Sequence, residues 1–240
     1  MDTKKLAVIT IAAILILHFL NQEAKEGFEK SVIDVIKKDP EAISGVQPSE
    51  EAPPSPPSEE EQLKQQLADR ANVDIGNTPI FGDKGAKIKL IVFSDFQCPF
   101  SKRGADTTHA LIKKYGNSLM YVYKNLPLPF HPESMPSAKA ALAAGRQGKF
   151  YEYHDKLFEN QDKLGEPLYI QIAKDLGLNL QKFNADRNSK EIEDQIKADL
   201  AQANSLGFNG TPGFALNGVK ILGAYPAEHF EKVISALNLG

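Results

Sequence analysis

The chain lacks a second cysteine: Cys98 is the only one among 240 residues. A single cysteine excludes an intramolecular disulfide, and it leaves the redox compartment to be argued from other features. Cys98 follows the apolar run 88–94 and begins the tetrapeptide Cys-Pro-Phe-Ser. Dithiol redox enzymes carry a second cysteine three residues after the first, and here Ser101 occupies that position.

The chain also lacks an excess of positive charge, since its formal net charge is −3. Nucleic-acid-binding domains cluster lysine and arginine, so nucleic acid is not expected as a partner. Neither a glycine-rich phosphate loop nor a nucleophilic Ser-His-Asp pattern is evident. Scattered histidines and one cysteine do not provide the clustered ligands that zinc requires. We therefore expect no metal and no cofactor.

The N-terminal apolar run, residues 6–20, follows Lys4 and Lys5, a pattern typical of an export signal. It is long for a signal core and short for a membrane-spanning helix, and no small-x-small cleavage site follows it. A cleaved signal over residues 1–24 and an uncleaved inner-membrane anchor both remain open. A buried N-terminal helix is the less favoured alternative. Export predicts a periplasmic or other extracytoplasmic location.

Two short segments precede the main domain. Residues 25–46 are predicted to contain a short amphipathic helix that ends at Pro40. Its apolar stripe consists of Phe28, Val32, Val35 and Ile36. So short a helix needs a partner, and its balanced charges favour self-association through residues 26–39, or docking, over membrane binding. Residues 47–62, rich in proline and glutamate, are predicted to form an extended linker.

Residues 63–240 are predicted to form one α/β domain. Strand, helix and strand follow one another closely enough for a β-α-β unit with parallel strands. Asn-Gly between two apolar triplets predicts a β-hairpin near the C-terminus. The predicted strands are 88–94, 119–126, 214–216 and 219–221, and the predicted helices are 61–70, 99–115, several within 134–206, and 227–237.

Cys98 is predicted to be the N-cap of the helix at 99–115, because Pro99 suits the first helical position. A thiolate at that position can accept hydrogen bonds from the free amides of Phe100 and Ser101, and it lies at the positive end of the helix dipole. Both effects favour the thiolate over the thiol. The Ser101 hydroxyl is a further candidate donor to the sulfur. The hypothesis requires a sulfur that is open to solvent and held by these amides. An inert buried cysteine is the alternative.

Three separated motifs carry a family resemblance. They are FSDFQCPF, HPESMPSAKAALAAGRQGKFYEYHDKLFEN and NGTPGFALNG. In this order they resemble the DsbA-like branch of the thioredoxin superfamily, whose members are thiol-disulfide oxidoreductases. The resemblance implies a thioredoxin-like fold with a helical insertion at about 132–206. It also implies a cis peptide bond between Thr211 and Pro212, with Thr211 presenting its backbone to a substrate peptide and Pro99 and Phe100 near that substrate.

The sequence departs from the family pattern at two positions. Ser101 replaces the resolving cysteine, so the chain cannot hold or donate an intramolecular disulfide. The strand position six residues before Cys98, often a buried acid in relatives, is Val92. A proton relay through that position is therefore not expected.

The histidines offer one candidate for the active site. His131 follows the second predicted strand, at the same sheet edge as Cys98, where it could stabilise the thiolate. The alternative is a loop residue beside Pro132. His154 and His229 are predicted to be surface residues.

The leading hypothesis is an exported monothiol oxidoreductase that acts on the cysteines of client proteins. Its catalytic residues would be Cys98 and Ser101, and a small thiol or a redox partner protein would resolve the mixed disulfide. One alternative is a peptide-binding module without turnover. Another is a dithiol oxidoreductase in which Ser101 is an engineered replacement for cysteine.

Overall fold

The computed structural model describes residues 58–239 and, before them, residues 30, 31, 33, 34, 37 and 38. The chain divides into two compact units, Met1–Pro56 and Pro57–Gly240. In the first unit the described residues are helical. The predicted export signal, the apolar stripe and most of the linker lie outside the described residues. Among the residues that are described, no helix has the length and apolar character needed to cross a membrane.

The second unit alternates strands and helices. Its strands are β1 (Ile80–Phe81), β2 (Ile88–Ser94), β3 (Leu119–Asn125), β4 (Gly213–Leu216) and β5 (Val219–Leu222). Its α-helices are α1 (Glu59–Ala68), α2 (Pro99–Tyr115), α3 (Ser134–Gly145), α4 (Phe150–Glu159), α5 (Glu166–Asp175), α6 (Leu180–Arg187), α7 (Lys190–Ser205) and α8 (Ala227–Ala236). Short 3-10 turns occupy Gly116–Ser118 and Gln161–Lys163. The five helices α3–α7 therefore lie between β3 and β4.

The sheet has the strand order β1-β3-β2-β4-β5. Strands β2 and β3 pair in parallel, with Ile88 opposite Leu119 and Ser94 opposite Asn125, which confirms the predicted β-α-β unit. The other pairs are antiparallel. Because β2 and β3 are buried on both faces, their sequences are nearly continuous apolar runs. Both strands end at one edge of the sheet, and α2 begins just beyond that edge.

The C-terminal hairpin forms where the sequence predicts it. Asn217 and Gly218 have φ angles of 46° and 89°, the left-handed pair that a tight two-residue hairpin requires. The Asn217 side chain accepts a hydrogen bond from the Lys89 amide and donates one to the Lys87 carbonyl. These bonds fix β4 beside β2, which sets the position of the segment just before β4.

Helix α1 begins earlier than the periodicity indicates. Ser58 and Glu61 form a capping box, in which each side chain receives the other residue's backbone N–H. The helix consequently covers Glu59–Ala68 instead of 61–70.

The two faces of the sheet carry separate apolar clusters. Helices α2 and α8 and most of the helices between β3 and β4 cover one cluster, and the C-terminal part of α7 covers the other.

Candidate active site

Cys98 lies where β2 is joined to α2. The segment Asp95–Cys98, here called the active-site turn, leaves the end of β2 and is closed by a hydrogen bond from the Cys98 amide to the Asp95 carbonyl at 3.1 Å. Cys98 is the N-cap of α2 and Pro99 follows at the first helical position, as predicted. The sole thiol therefore lies at the N-terminal end of a 17-residue helix.

The environment of the sulfur differs from the prediction. Cys98 is only 4% exposed, and its side chain makes no capping hydrogen bond to the α2 amides. The Sγ atom instead donates to the carbonyl oxygen of Thr211 at 3.5 Å. Two predictions are therefore wrong for this state: the sulfur is not exposed to solvent, and it accepts no hydrogen bond from the backbone amides of α2. The physical reason is that a protonated thiol is a donor, so it turns to a nearby acceptor and away from other donors.

The loop that faces the sulfur has the geometry implied by the resemblance. The Thr211–Pro212 peptide bond is cis. Pro212 packs closely against α2, since a Cβ atom on Gly104 would lie 2.9 Å from Pro212 Cγ. The Thr211 hydroxyl is buried and has no hydrogen-bond partner among the described residues. Thr211 and Cys98 are thus in direct contact, and glycine at position 104 is what permits the close approach.

Ser101 is buried beside the active-site turn, with 1% of its surface exposed. Its Oγ atom accepts the backbone N–H of Asp95 at 3.3 Å. The predicted hydrogen bond from Ser101 to the sulfur is therefore wrong, because the hydroxyl bonds the backbone of the active-site turn instead. Ser101 also borders a void too small for a water molecule, whose wall includes Val92, Gly104, Thr108, Tyr123 and Phe158.

Asp95 is the functional-site residue that the sequence analysis missed. Its carboxylate is fully buried and accepts three contacts: the Gln97 amide at 2.8 Å, the Leu128 amide at 3.0 Å and His131 Nδ1 at 2.8 Å. A polar residue directly after a buried strand was the available signal. Asp95, not Val92, supplies the buried acid of this site.

His131 lies at the expected sheet edge, but it contacts a different group. Its Nδ1 atom lies 2.8 Å from Asp95 Oδ2, and no hydrogen bond joins it to the Cys98 sulfur within residues 58–239. The expectation that His131 approaches the thiolate is therefore not met in this state. The reason is that the buried Asp95 carboxylate offers the imidazole a stronger acceptor.

Two glutamines fasten the active-site turn to the helices between β3 and β4. The Gln97 side-chain oxygen accepts the Glu133 amide at 2.7 Å. The Gln161 Nε2 group donates to the carbonyl oxygens of Phe96 at 2.7 Å and Cys98 at 2.9 Å. Gln161 therefore holds the backbone of the turn, and the Gln97 side chain joins the turn to the backbone at Glu133.

The rim of the site is aromatic. Pro99 is exposed, Phe100 is 53% exposed, and the Arg103 guanidinium lies 4.6 Å from the Phe100 ring centroid. Phe130, which precedes His131, is 71% exposed. Phe100 and Phe130 are thus the large apolar side chains that the segments next to Cys98 and His131 expose to solvent.

His154 was predicted at the surface and is buried, so that prediction is wrong. Its ring packs among those of Phe96, Tyr123 and Phe158, at centroid distances of 5.6, 4.9 and 5.0 Å. Helix α4 turns this side chain toward the core. Burial lowers the pKa of His154, although its hydrogen bond to Asp155 at 2.8 Å opposes the shift.

His229 is half-buried, which also differs from the predicted surface position. It stacks on Tyr225 at 4.3 Å and its Nε2 atom bonds Gln66 Oε1 at 2.9 Å. In the described part of the chain, no group of three or more His, Cys, Asp or Glu side chains could hold a metal ion.

Comparison with known proteins places the chain in a family. A family model described as Thioredoxin matches residues 74–236. The Na(+)/H(+) antiporter NhaA of Herminiimonas arsenicoxydans is 32% identical over 161 residues, and NhaA 1 of Mycobacterium sp. (strain KMS) is 30% identical over 167. These matches cover 67% and 68% of this chain but only 26% and 27% of the relatives. The chain thus spans about a quarter of the length of these curated relatives.

Three solved structures illustrate the similarity of the fold. A thioredoxin-like oxidoreductase from Silicibacter pomeroyi DSS-3 has a TM-score of 0.64 and 27% identity, covering 71% of this chain and 99% of that one. Oxidised BdbD from Bacillus subtilis has a TM-score of 0.63 and 20% identity, covering 71% and 98%. The thiol-disulfide exchange protein α-DsbA2 of Wolbachia pipientis has a TM-score of 0.62 and 22% identity, covering 73% and 92%. At such identities the last two show the fold alone. From its matched family model, the chain belongs to the thioredoxin family.

Proposed function

We propose that this chain is an exported thiol-disulfide oxidoreductase that acts on client-protein cysteines through the single thiol of Cys98. The observation that carries the proposal is the contact between Cys98 Sγ, at the N-terminus of α2, and the Thr211 carbonyl in the cis-proline loop, at 3.5 Å. In this arrangement, a client disulfide bound along the Thr211 backbone would lie next to the thiol. Membership of the thioredoxin family supports the same chemistry.

The reaction is a thiol-disulfide exchange in two balanced steps. The Cys98 thiolate attacks one sulfur of a client disulfide, so that a mixed disulfide forms and the other client sulfur leaves as a thiolate. A second client thiol or a small external thiol then attacks the mixed disulfide and releases Cys98. Ser101 cannot perform this second attack, because a hydroxyl does not exchange with disulfides. The chemistry suits isomerisation or removal of thiol caps and does not give net oxidation.

Deprotonation gives the buried sulfur a reason to move. In the thiol form, S–H donates to Thr211 O. Once the proton leaves, two electron-rich atoms face each other and the contact becomes repulsive. The free N–H groups in the first turn of α2 are then available to donate hydrogen bonds to the thiolate. Rotation toward them would move the sulfur away from Thr211 and toward the exposed residues Pro99 and Phe100.

A peptide-binding module without turnover is the second candidate. The observations that favour it are the 4% exposure of Cys98 and the absence of a capping hydrogen bond to its sulfur. In that case Thr211 and the exposed Phe100 would bind peptides, and Cys98 would be inert. The engineered-serine hypothesis is a variant of the first candidate, in which the native partner of Cys98 is a cysteine at position 101.

Location and assembly remain proposals of their own. Export rests on the basic and apolar residues at the N-terminus, with residues 6–20 as a signal or an anchor to the inner membrane. Self-association rests on the apolar stripe within residues 26–39. The proposed partners are cysteine-containing clients and a small thiol or redox protein.

Glutathionylation tests the redox proposal. The reduced protein is mixed with oxidised glutathione, and the intact mass is followed with time and pH. We expect addition of one glutathionyl group, absent in Cys98→Ala, and its removal by reduced glutathione. Ser101→Cys should instead release the adduct by forming an internal disulfide. A wild-type protein that gains no adduct at any pH, yet captures the same clients as Cys98→Ala, would establish the binding module.

A further inference from the structure

Gln161 contacts the active-site turn although it is 63 residues from Cys98 along the chain. It begins the 3-10 turn Gln161–Lys163, between α4 and α5. Its Nε2 group donates both of its hydrogens to the backbone of the turn, one to Phe96 O at 2.7 Å and one to Cys98 O at 2.9 Å. These are normal, well-formed amide hydrogen bonds.

The Cys98 carbonyl is therefore bound twice. It accepts the first backbone hydrogen bond of α2, from the Lys102 amide at 3.2 Å, as well as the Gln161 donor. A carbonyl oxygen has two lone pairs, so its acceptor capacity is filled. The Cys98 backbone, with φ −74° and ψ 123°, is held where its side chain reaches Thr211.

We infer that Gln161 is a positioning residue for the Cys98 sulfur, an inference that rests on the proposed function. It fixes the backbone from which the sulfur projects. It also places two N–H dipoles against the carbonyl oxygens of Phe96 and of Cys98 itself, in the turn that carries the sulfur. Without these donors, the same oxygens would oppose a thiolate more strongly. Gln161 thus acts on the reaction through the Phe96 and Cys98 carbonyl groups and touches no reacting atom.

Two variants and one matched control separate positioning from simple stability. Gln161→Met keeps the length of the side chain and removes both donors. Gln161→Glu keeps the shape of the side chain but places a carboxylate oxygen, which only accepts, against the Phe96 and Cys98 carbonyl oxygens. The control is Gln147→Met, because Gln147 also makes two hydrogen bonds to a distant backbone: Nε2 donates to Asn179 O at 3.2 Å and Oε1 accepts the Asn179 amide at 2.9 Å.

The measurement is the rate of Cys98 alkylation by iodoacetamide as a function of pH, in the folded protein and in urea. For Gln161→Met we expect a rate near neutral pH about fivefold lower than wild type, the equivalent of ~1 kcal/mol for hydrogen bonds to the turn. The rate curve should move to higher pH by about 0.7 unit, the logarithm of that factor. Gln161→Glu should move it at least as far. The ionisable groups that act on Cys98 or on its turn include Asp95, His131 and Tyr123, and all three are present in every variant.

Rates in urea should be equal for all variants, and melting temperatures establish that each one folds. Gln147→Met should lower stability without moving the rate curve. The inference is overturned if wild-type Cys98 reacts and Gln161→Met reacts identically, or if Gln147→Met moves the curve as far. Wild-type Cys98 that reacts with neither iodoacetamide nor oxidised glutathione overturns the proposed function itself, and the inference with it.

Discussion

Replacing Asp95 by asparagine should destabilise the fold, because the Asp95 carboxylate is a buried acceptor for three donors. Oδ1 receives the Gln97 amide at 2.8 Å, while Oδ2 receives the Leu128 amide at 3.0 Å and contacts His131 Nδ1 at 2.8 Å. Asparagine has nearly the same shape but offers one acceptor oxygen and one NH₂ donor. Whichever way its amide is oriented, the NH₂ group faces another N–H.

The size of the effect follows from counting lost contacts. With the amide oxygen in the Oδ2 position, only the Gln97 contact is lost. In the opposite orientation, the Leu128 contact is lost and the His131 contact survives only if Nδ1 gives up its hydrogen. A buried donor left without a partner costs about 1–3 kcal/mol. The first orientation is therefore preferred, and the free energy of unfolding should fall by about 2 kcal/mol. For a domain of this size, that corresponds to a fall in Tm of roughly 4–8 °C.

Urea denaturation followed by circular dichroism measures this change. The control is Asp83→Asn, since Asp83 Oδ1 accepts a single amide, from Gly85 at 2.8 Å, in an exposed turn where asparagine serves equally well. Its free energy of unfolding should stay within about 0.5 kcal/mol of wild type. If Asp95→Asn is no less stable than Asp83→Asn, the claim that the buried carboxylate organises the active-site turn is refuted.

Two further predictions concern α2. In Gly104→Ala, the new Cβ atom would lie 2.9 Å from Pro212 Cγ and 3.1 Å from Phe214 Cζ, so urea denaturation should show a loss of about 1–3 kcal/mol from overpacking; wild-type stability would contradict the close approach. The hydrogen bond that His109 Nε2 donates to Asp155 Oδ1, at 3.0 Å, raises the pKa of His109 in the folded state. That stabilisation is present in full below the unfolded pKa and is lost as pH rises through the folded one. The Tm difference between wild type and His109→Gln should therefore widen from about pH 8 to about pH 5.5, and a constant difference would exclude this linkage.

The parts of the fold that could be predicted from the sequence are those that short stretches of residues determine. The hairpin needs only Asn217 and Gly218, because both tolerate the left-handed conformation. The β-α-β unit needs only an apolar run, a helix start at Pro99 and a second apolar run. The position of Cys98 as N-cap follows from the same neighbours. Each of these signals is read from consecutive residues, and none depends on a contact between side chains that are distant in the sequence.

The contacts around Cys98 escaped prediction because their partners are distant in sequence. Asp95 meets His131 from 36 positions away, and Gln161 meets the Phe96 carbonyl from 65. The periodicity of apolar residues does not indicate which side chains, so far apart in sequence, come into contact. The burial of His154 escaped for a related reason: a helix does not disclose which face it buries until its neighbours are placed. The sulfur's orientation was mispredicted because the thiolate was assumed, and the thiol prefers an acceptor.

The serine at position 101 does more than omit a second thiol. The Asp95 backbone N–H is buried, and a buried amide needs an acceptor. Ser101 Oγ supplies it at 3.3 Å, whereas a cysteine sulfur in the same place is a weaker acceptor. Substituting cysteine would therefore add a resolving thiol and loosen the turn that carries Cys98. The same Ser101 side chain that rules out a resolving thiol at this position thus supplies the acceptor that holds the active-site turn.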